Sequence, residues 1–180
     1  MILDSSKCFN EKITPLDECT FEHLYRSSIS KIVKFQQIQG QWHSVCTCSS
    51  CGVPADGFIE LDFMSKSGKH TTASGFFVYR GTSYLFFTFD HIWPRSLGGR
   101  NGGSNGQVMC YSCNEKKADK VDEDLVNFVE TKRDLFISPD PSFIKLYKQY
   151  VRNHFPHIPL DKPKQKKVKS DFEICIIFDY

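Results

Sequence analysis

The residues that can do chemistry crowd into one short stretch. Asp90-His91 is followed by Arg95, by a glycine-rich run from Gly98 to Gly106, and then by Cys110-x2-Cys113, Asn114 and Lys117. A carboxylate suits a hard divalent cation, and an imidazole titrating near neutrality suits taking a proton from water. Asn114 adds an amide oxygen of the same hard character, and it follows a cysteine whose position a metal would fix. Hydrolysis assisted by a divalent ion is the chemistry these types allow. Neighbours on a strand face opposite ways, so Asp90 and His91 can serve one site only at a strand end.

A second pair, Cys48-x2-Cys51, lies upstream. Two such pairs can put four thiolates around one tetrahedral Zn²⁺, a closed site that organises the fold and leaves no open position for catalysis. Cys46 stands beside the first pair and is a rival ligand. The matching x2 spacing favours Cys48, Cys51, Cys110 and Cys113. Cys8, Cys19 and Cys175 sit in apolar or helical contexts and read as packing residues. The first residues, Met-Ile-Leu-Asp-Ser-Ser-Lys, do not have the form of a secretory leader, and no apolar run reaches the length of a membrane span. The expectation is a cytoplasmic, reducing setting, in which eight cysteines favour metal over disulfides.

Around these motifs the sequence predicts an α+β fold. The apolar spacing of Phe21, Leu24, Tyr25, Ile29, Ile32 and Val33 predicts a helix over 21–39 that Gly40 ends. Strands are expected over 58–63, 75–80 and 84–89, with Gly81-Thr82-Ser83 as a hairpin turn and 65–74 as a polar loop. A helix capped by Asp122 follows, then another over 142–155 ended by Pro156 and Pro159. A lysine run (Lys162, Lys164, Lys166, Lys167, Lys169) precedes an apolar terminal strand, 172–178. The predicted organisation is an N-terminal helical region (1–40), a zinc-stabilised core (41–135), and a C-terminal helix, linker and strand (136–180). The 40% of hydrophobic residues, 16 of them Phe, can fill such a core. A net charge of +2 makes any nucleic-acid surface a local feature, and Arg95, Arg100, Lys116, Lys117 and Lys120 are the local cluster.

The sequence Asp90-His-Ile-x-Pro-x-Ser-x-Gly-Gly99, with Asn105-x-Gln-x-x-Cys-x-x-Cys-Asn-x-x-Lys117, resembles the HNH endonuclease family with its ββα-metal fold, over about residues 46–133. The resemblance implies that Asp90 and Asn114 hold the catalytic ion and that His91 is the general base. It implies that Asn105 is the central asparagine orienting loop and base, with Asn101 as its rival, and that Arg95 and Lys117 lie near phosphate. The four cysteines match the zinc ligands of four-cysteine members, one Zn²⁺ per chain. Two departures matter. Asn114 stands where histidine is common, which favours Mg²⁺ or Mn²⁺. The long interval from Cys51 to Asp90 implies an added β-hairpin. The implied activity is hydrolysis of DNA, double-stranded and open to a homodimer, leaving 5′-phosphate and 3′-hydroxyl ends. Small restriction, homing and phage-encoded enzymes have this form. The rival readings are a zinc-stabilised nucleic-acid-binding module without catalysis, and a nuclease of this kind acting on RNA.

Overall fold

A computed structural model describes residues 1–29, 34–38 and 41–160, with 34–38 and 41–45 described by backbone alone. The chain runs β1 (Ile2–Asp4), β2 (Cys8–Pro15), α1 (Phe21–Arg26), β3 (Lys34–Ile38), β4 (Gln41–Val45), β5 (Gly57–Met64), β6 (His70–Arg80) and β7 (Ser83–His91). It continues through β8 (Gly106–Cys110), α2 (Tyr111–Lys117), α3 (Glu123–Thr131), α4 (Arg133–Phe136) and α5 (Pro141–His154). The α+β class is as expected. The predicted lysine run and the strand over 172–178 lie outside the described residues.

β5, β6 and β7 form an antiparallel meander, and Arg80 pairs with Ser83 across a two-residue turn where Gly81 takes a left-handed φ of 61°. This turn forms as predicted. The sheet order is β1-β7-β6-β5-β2, with β8 pairing β7 off that path. Only Ser5–Lys7 join β1 to β2, yet these strands lie at opposite edges. So short a link forces the sheet to curl until its edges approach. Ile59, Leu61, Phe77, Tyr84 and Phe86 fill one face of the curl. Phe58, Phe76, Val78 and Phe87 alternate with them and build a second core that includes Leu24, Cys46, Cys48 and Cys110. Both faces are buried, which explains strands that read as continuous apolar runs. Each buried Phe of this kind contributes about 1.5–3 kcal/mol.

Three expectations need correction. The helix beginning at Phe21 ends at Arg26, where Ser27 turns both its N–H and its hydroxyl onto the Leu24 carbonyl, and Lys34–Ile38 pair with Gln41–Val45 as antiparallel strands instead. Of the predicted face only Leu24 and Ile29 are buried among the described residues, while Phe21 and Tyr25 are exposed. Second, the N-terminal region is not mainly helical, because β1 and β2 are strands of the main sheet. Third, the loop expected over 65–74 closes early, and His70–Ser74 pair with Glu60–Met64. The added hairpin is present: β5 and β6 occupy the interval between Cys51 and Asp90.

A third cluster packs α3, α4 and α5 around Trp93, which is fully buried and meets Tyr147 edge-on at 5.0 Å. Asp122 caps α3 by accepting from Leu125 N–H at 2.8 Å, and Val126 and Val129 face inward while Phe128 stays half exposed. Asp140 caps α5, with Pro141 opening its first turn. No helix among the described residues is long and apolar enough to cross a membrane.

Candidate active site and metal centre

β7, the loop 92–105, β8 and α2 make a ββα unit. Asp90 pairs with Gln107 and His91 with Gly106, which sets the two residues at the last two rungs of the ladder. The loop between the strands is held by Asn105, which is fully buried. Its Oδ1 accepts from Trp93 N–H at 2.8 Å, and its Nδ2 donates to the carbonyls of Trp93 and Arg100, each at 2.9 Å. Its own carbonyl accepts from Ile92 N–H. Asn105 therefore clamps the loop, whereas Asn101 is exposed. The Gly98-Gly99 pair is required by contact. A Cβ at Gly98 would stand 2.3 Å from the Phe143 carbonyl oxygen, and one at Gly99 would stand 2.2 Å from that of Trp93. The loop thus presses on α5 and back onto its own start.

The resulting cleft, of about 200 Å³, is lined by Asp90, His91, Pro94, Arg95, Lys117 and Asp119, among others. Asp90 Oδ2 accepts from Lys117 Nζ at 2.9 Å and from Gln107 Nε2 at 2.7 Å. Lys117 also donates to the His91 carbonyl at 2.7 Å. His91 Nε2 is buried without a hydrogen-bond partner, and the ring stacks edge-on against Phe89 at 4.8 Å. Burial holds the imidazole below the usual histidine range. Arg95 and Lys117 push the same way, and the Asn101 side chain and Asp90 oppose them. A neutral imidazole with an unsatisfied nitrogen is the form that accepts a proton.

Asn114 does not line this cleft. It lies on α2, its Nδ2 donating to Thr88 Oγ1 at 2.9 Å, which leaves Oδ1 as the free acceptor. Thr88 and Asp90 are two apart on β7 and share a face, so Asn114 and Asp90 approach from the same side. Arg95 reaches the cleft as the sequence suggests. Lys116 and Lys120 are exposed and stand outside it. Arg100 points elsewhere, donating to the Asp134 carbonyl at 3.0 Å. Sequence reasoning missed Gln107, although it stands in the motif between Asn105 and Cys110. It also missed Thr88 and Asp119, the latter accepting from Ser96 Oγ at 2.8 Å across the cleft wall.

The four cysteines converge as the spacing implies. The sulfurs of Cys48, Cys51, Cys110 and Cys113 all lie within 4.8 Å of one another. Ligands about 2.3 Å from a tetrahedral zinc stand roughly 3.8 Å apart, and Cys51 and Cys110 are at 3.9 Å. Burial alone would raise the Cys48 thiol, but N–H groups of Cys51, Cys110 and Ser50 outweigh it and bring it down to about 7. Burial pushes Cys110 up to about 12. Four sulfurs this close and so arranged can hold a metal ion such as zinc. Cys46, the rival, is fully buried in the apolar core and is raised by burial; it stands outside the cluster. Cys19 is buried in the same core, and Cys8 packs against the other.

The two centres share one corner. Cys110 ends β8, Cys113 lies in α2, Asn114 follows at once, and Lys117 closes the helix. Ser49, within the first knuckle, donates to Gln107 Oε1 at 3.1 Å, so a hydrogen-bond path runs from the knuckle through Gln107 to Asp90. No curated protein and no solved structure matches the chain. Residues 83–129, from β7 into α3, match the family model of HNH endonucleases. That segment carries the aspartate–histidine strand end, the asparagine-clamped loop and the second cysteine knuckle, and it is this part of the chain that is similar to HNH endonucleases.

Proposed function

We propose that the chain is a DNA endonuclease whose catalytic core spans 41–135. The observation that carries this reading is His91 Nε2. It is buried and unpartnered beside Asp90, in a cleft that also holds Arg95 and Lys117. His91 takes a proton from water as the water oxygen bonds to phosphorus, and the bond from phosphorus to the 3′ oxygen breaks. Asp90 and Asn114 are the residues that would hold a hard divalent ion, Mg²⁺ or Mn²⁺. Bound there, the ion supplies charge stabilisation at the scissile phosphate and leaving oxygen. Arg95 and Lys117 bind the phosphate, and Asn105 fixes the loop that positions the base. A Zn²⁺ held by the four cysteines is structural.

The test is cleavage of supercoiled plasmid by the zinc-loaded protein, with Mg²⁺, with Mn²⁺ and without added divalent ion, beside His91→Ala. Metal-dependent nicking or linearisation that His91→Ala abolishes supports the reading. If no divalent ion supports cleavage of DNA, the reading fails, and structured RNA is the next substrate to try. Retained binding without cleavage of either polymer would leave the zinc-stabilised binding module. Linearisation without accumulated nicks would point to a symmetric dimer, since one site cuts one strand.

A further inference from the structure

The cleft at His91 does not end at its own wall. Ser96, on that wall, also lines a neighbouring depression with Gln149, Asn153 and His154. Gln149 and Asn153 in turn line a third, wider depression along α5, with Lys145, Lys148 and Arg152. Three concavities sharing lining residues in sequence make one groove, from the Asp90–His91 end over the turn Arg95–Leu97 and along the helix.

The chemistry of that groove is one-sided. α5 carries no acidic residue from Pro141 to His154, and its cations Lys145, Lys148 and Arg152 recur at three- and four-residue steps, which puts them on one face. They span about 10 Å along the helix axis. None forms an ion pair among the described residues, although six other basic side chains do. The opposite face of α5 is committed to the core through Tyr147 and Val151, so the cationic face has a fixed direction. Gly98, pressed against the Phe143 carbonyl, locks this helix to the active-site loop.

We infer that the basic face of α5 is a track for the phosphodiester backbone beyond the scissile bond, delivering the strand to His91 by way of Ser96. The inference rests on the nuclease reading for its direction, but the binding it predicts does not need cleavage. Phosphates sit along Lys145, Lys148 and Arg152, and Gln149 and Asn153 supply neutral donors between them. Contact of this kind holds any sequence and is paid out in counterion release.

The test uses the zinc-loaded full chain carrying His91→Ala, so that bound substrate stays intact. Binding to a labelled DNA duplex, its single strand and an RNA hairpin is followed by fluorescence anisotropy across a salt series. Replacing Lys145, Lys148 and Arg152 together by Gln lowers the slope of log affinity against log salt by about 2 to 3, since each neutralised phosphate contributes about 0.9 on duplex and 0.7 on single strand. The probe with the largest change identifies the polymer that follows the track. A control removes three exposed lysines elsewhere, Lys7, Lys66 and Lys69, and changes the slope by less than about 1. Asn153→Lys, which adds a cation within the groove, steepens the slope. Equal loss in the α5 variant and the control, or an unchanged slope in the α5 variant on all three probes, overturns the track. Failure of plasmid cleavage with the α5 effect intact would overturn the nuclease reading and leave the track standing.

Discussion

The cysteine cluster and the His91 cleft share the corner formed by β8 and α2, yet they are built on opposite plans. The cluster takes all its donors from two turns of the same x2 spacing, and its sulfurs face one another closely enough to shut out anything larger than an ion. The cleft takes its groups from a strand end, a clamped loop and the last turn of a helix, and it is open to solvent. A closed site fixes geometry and does no chemistry; an open one does chemistry and needs its geometry fixed from outside. At this corner the residues that could fix an ion, Cys110 and Cys113, are followed on α2 by Asn114 and Lys117, so whatever holds the first pair also holds the second.

The largest effect should come from breaking the closed site. Structural zinc in small peptides is worth about 10–16 kcal/mol, comparable with the whole stability of a domain, about 5–15 kcal/mol. Cys110→Ser, or removal of zinc by a strong chelator, should therefore melt the β8–α2 corner and abolish cleavage together. Circular dichroism melts with metal analysis check this, at one zinc per chain for the intact protein. Chelated protein that keeps its melting temperature would show that the four thiols hold without an ion.

His91→Ala should act in the opposite way, leaving zinc content and melting temperature as they are. General-base catalysis contributes about 100- to 10,000-fold, and single-turnover cleavage rates should fall by that much while substrate binding persists. A drop in melting temperature parallel to the loss of rate would mean that the buried ring is a packing residue and the cleft is not where the water is activated.

How far these regions were legible in the sequence follows from the same contrast. The cluster was readable because metal geometry constrains cysteine spacing directly, and only Cys46 competed; burial in the apolar core removed it. Asp90, His91 and Asn105 were readable as a pattern. Asn105 could be told from Asn101 only once the three hydrogen bonds of its side chain were seen, because burial is a property of the fold. Arg100 was grouped with the phosphate contacts by nearness in sequence, but the loop turns it onto the Asp134 carbonyl. The helix expected over 21–39 failed because apolar residues at three- and four-residue steps do not exclude strands, and a glycine marks a tight reversal as well as a helix end. β1 and β2 were missed because their residues are mostly exposed and show no period of two; pairing at the sheet's edges makes them strands.

Next in size is the clamp that gives the open site its shape. Asn105→Ala removes three hydrogen bonds and strands a backbone N–H and two carbonyls around a buried hole. An unsatisfied buried group costs about 1–3 kcal/mol, so a loss of about 2–4 kcal/mol is expected in denaturant unfolding, together with the loss of cleavage. Asn105→Asp keeps one acceptor but turns a charge toward the Trp93 and Arg100 carbonyls, and it should be at least as damaging. If Asn105→Asp were stable and active, the amide donors would not be what closes the loop.

The smallest effect tests whether the two centres communicate through the path from Ser49 to Gln107 to Asp90. Gln107→Ala removes a charge-assisted bond to the Asp90 carboxylate. Such bonds are worth about 1.5–3 kcal/mol, and part of that stays with Lys117, so cleavage should fall about 10-fold, which corresponds to about 1.4 kcal/mol. Ser49→Ala breaks only the neutral bond on the knuckle side, worth about 0.5–1.5 kcal/mol, and should slow cleavage less than Gln107→Ala. If the knuckle orients Gln107, the double variant should be no slower than Gln107→Ala alone, because once Gln107 is gone the serine has nothing to hold. Additive losses in that double-mutant cycle would mean that Ser49 acts on the cleft by another route, and that the closed site supports the open one through the backbone of β8 and α2 alone.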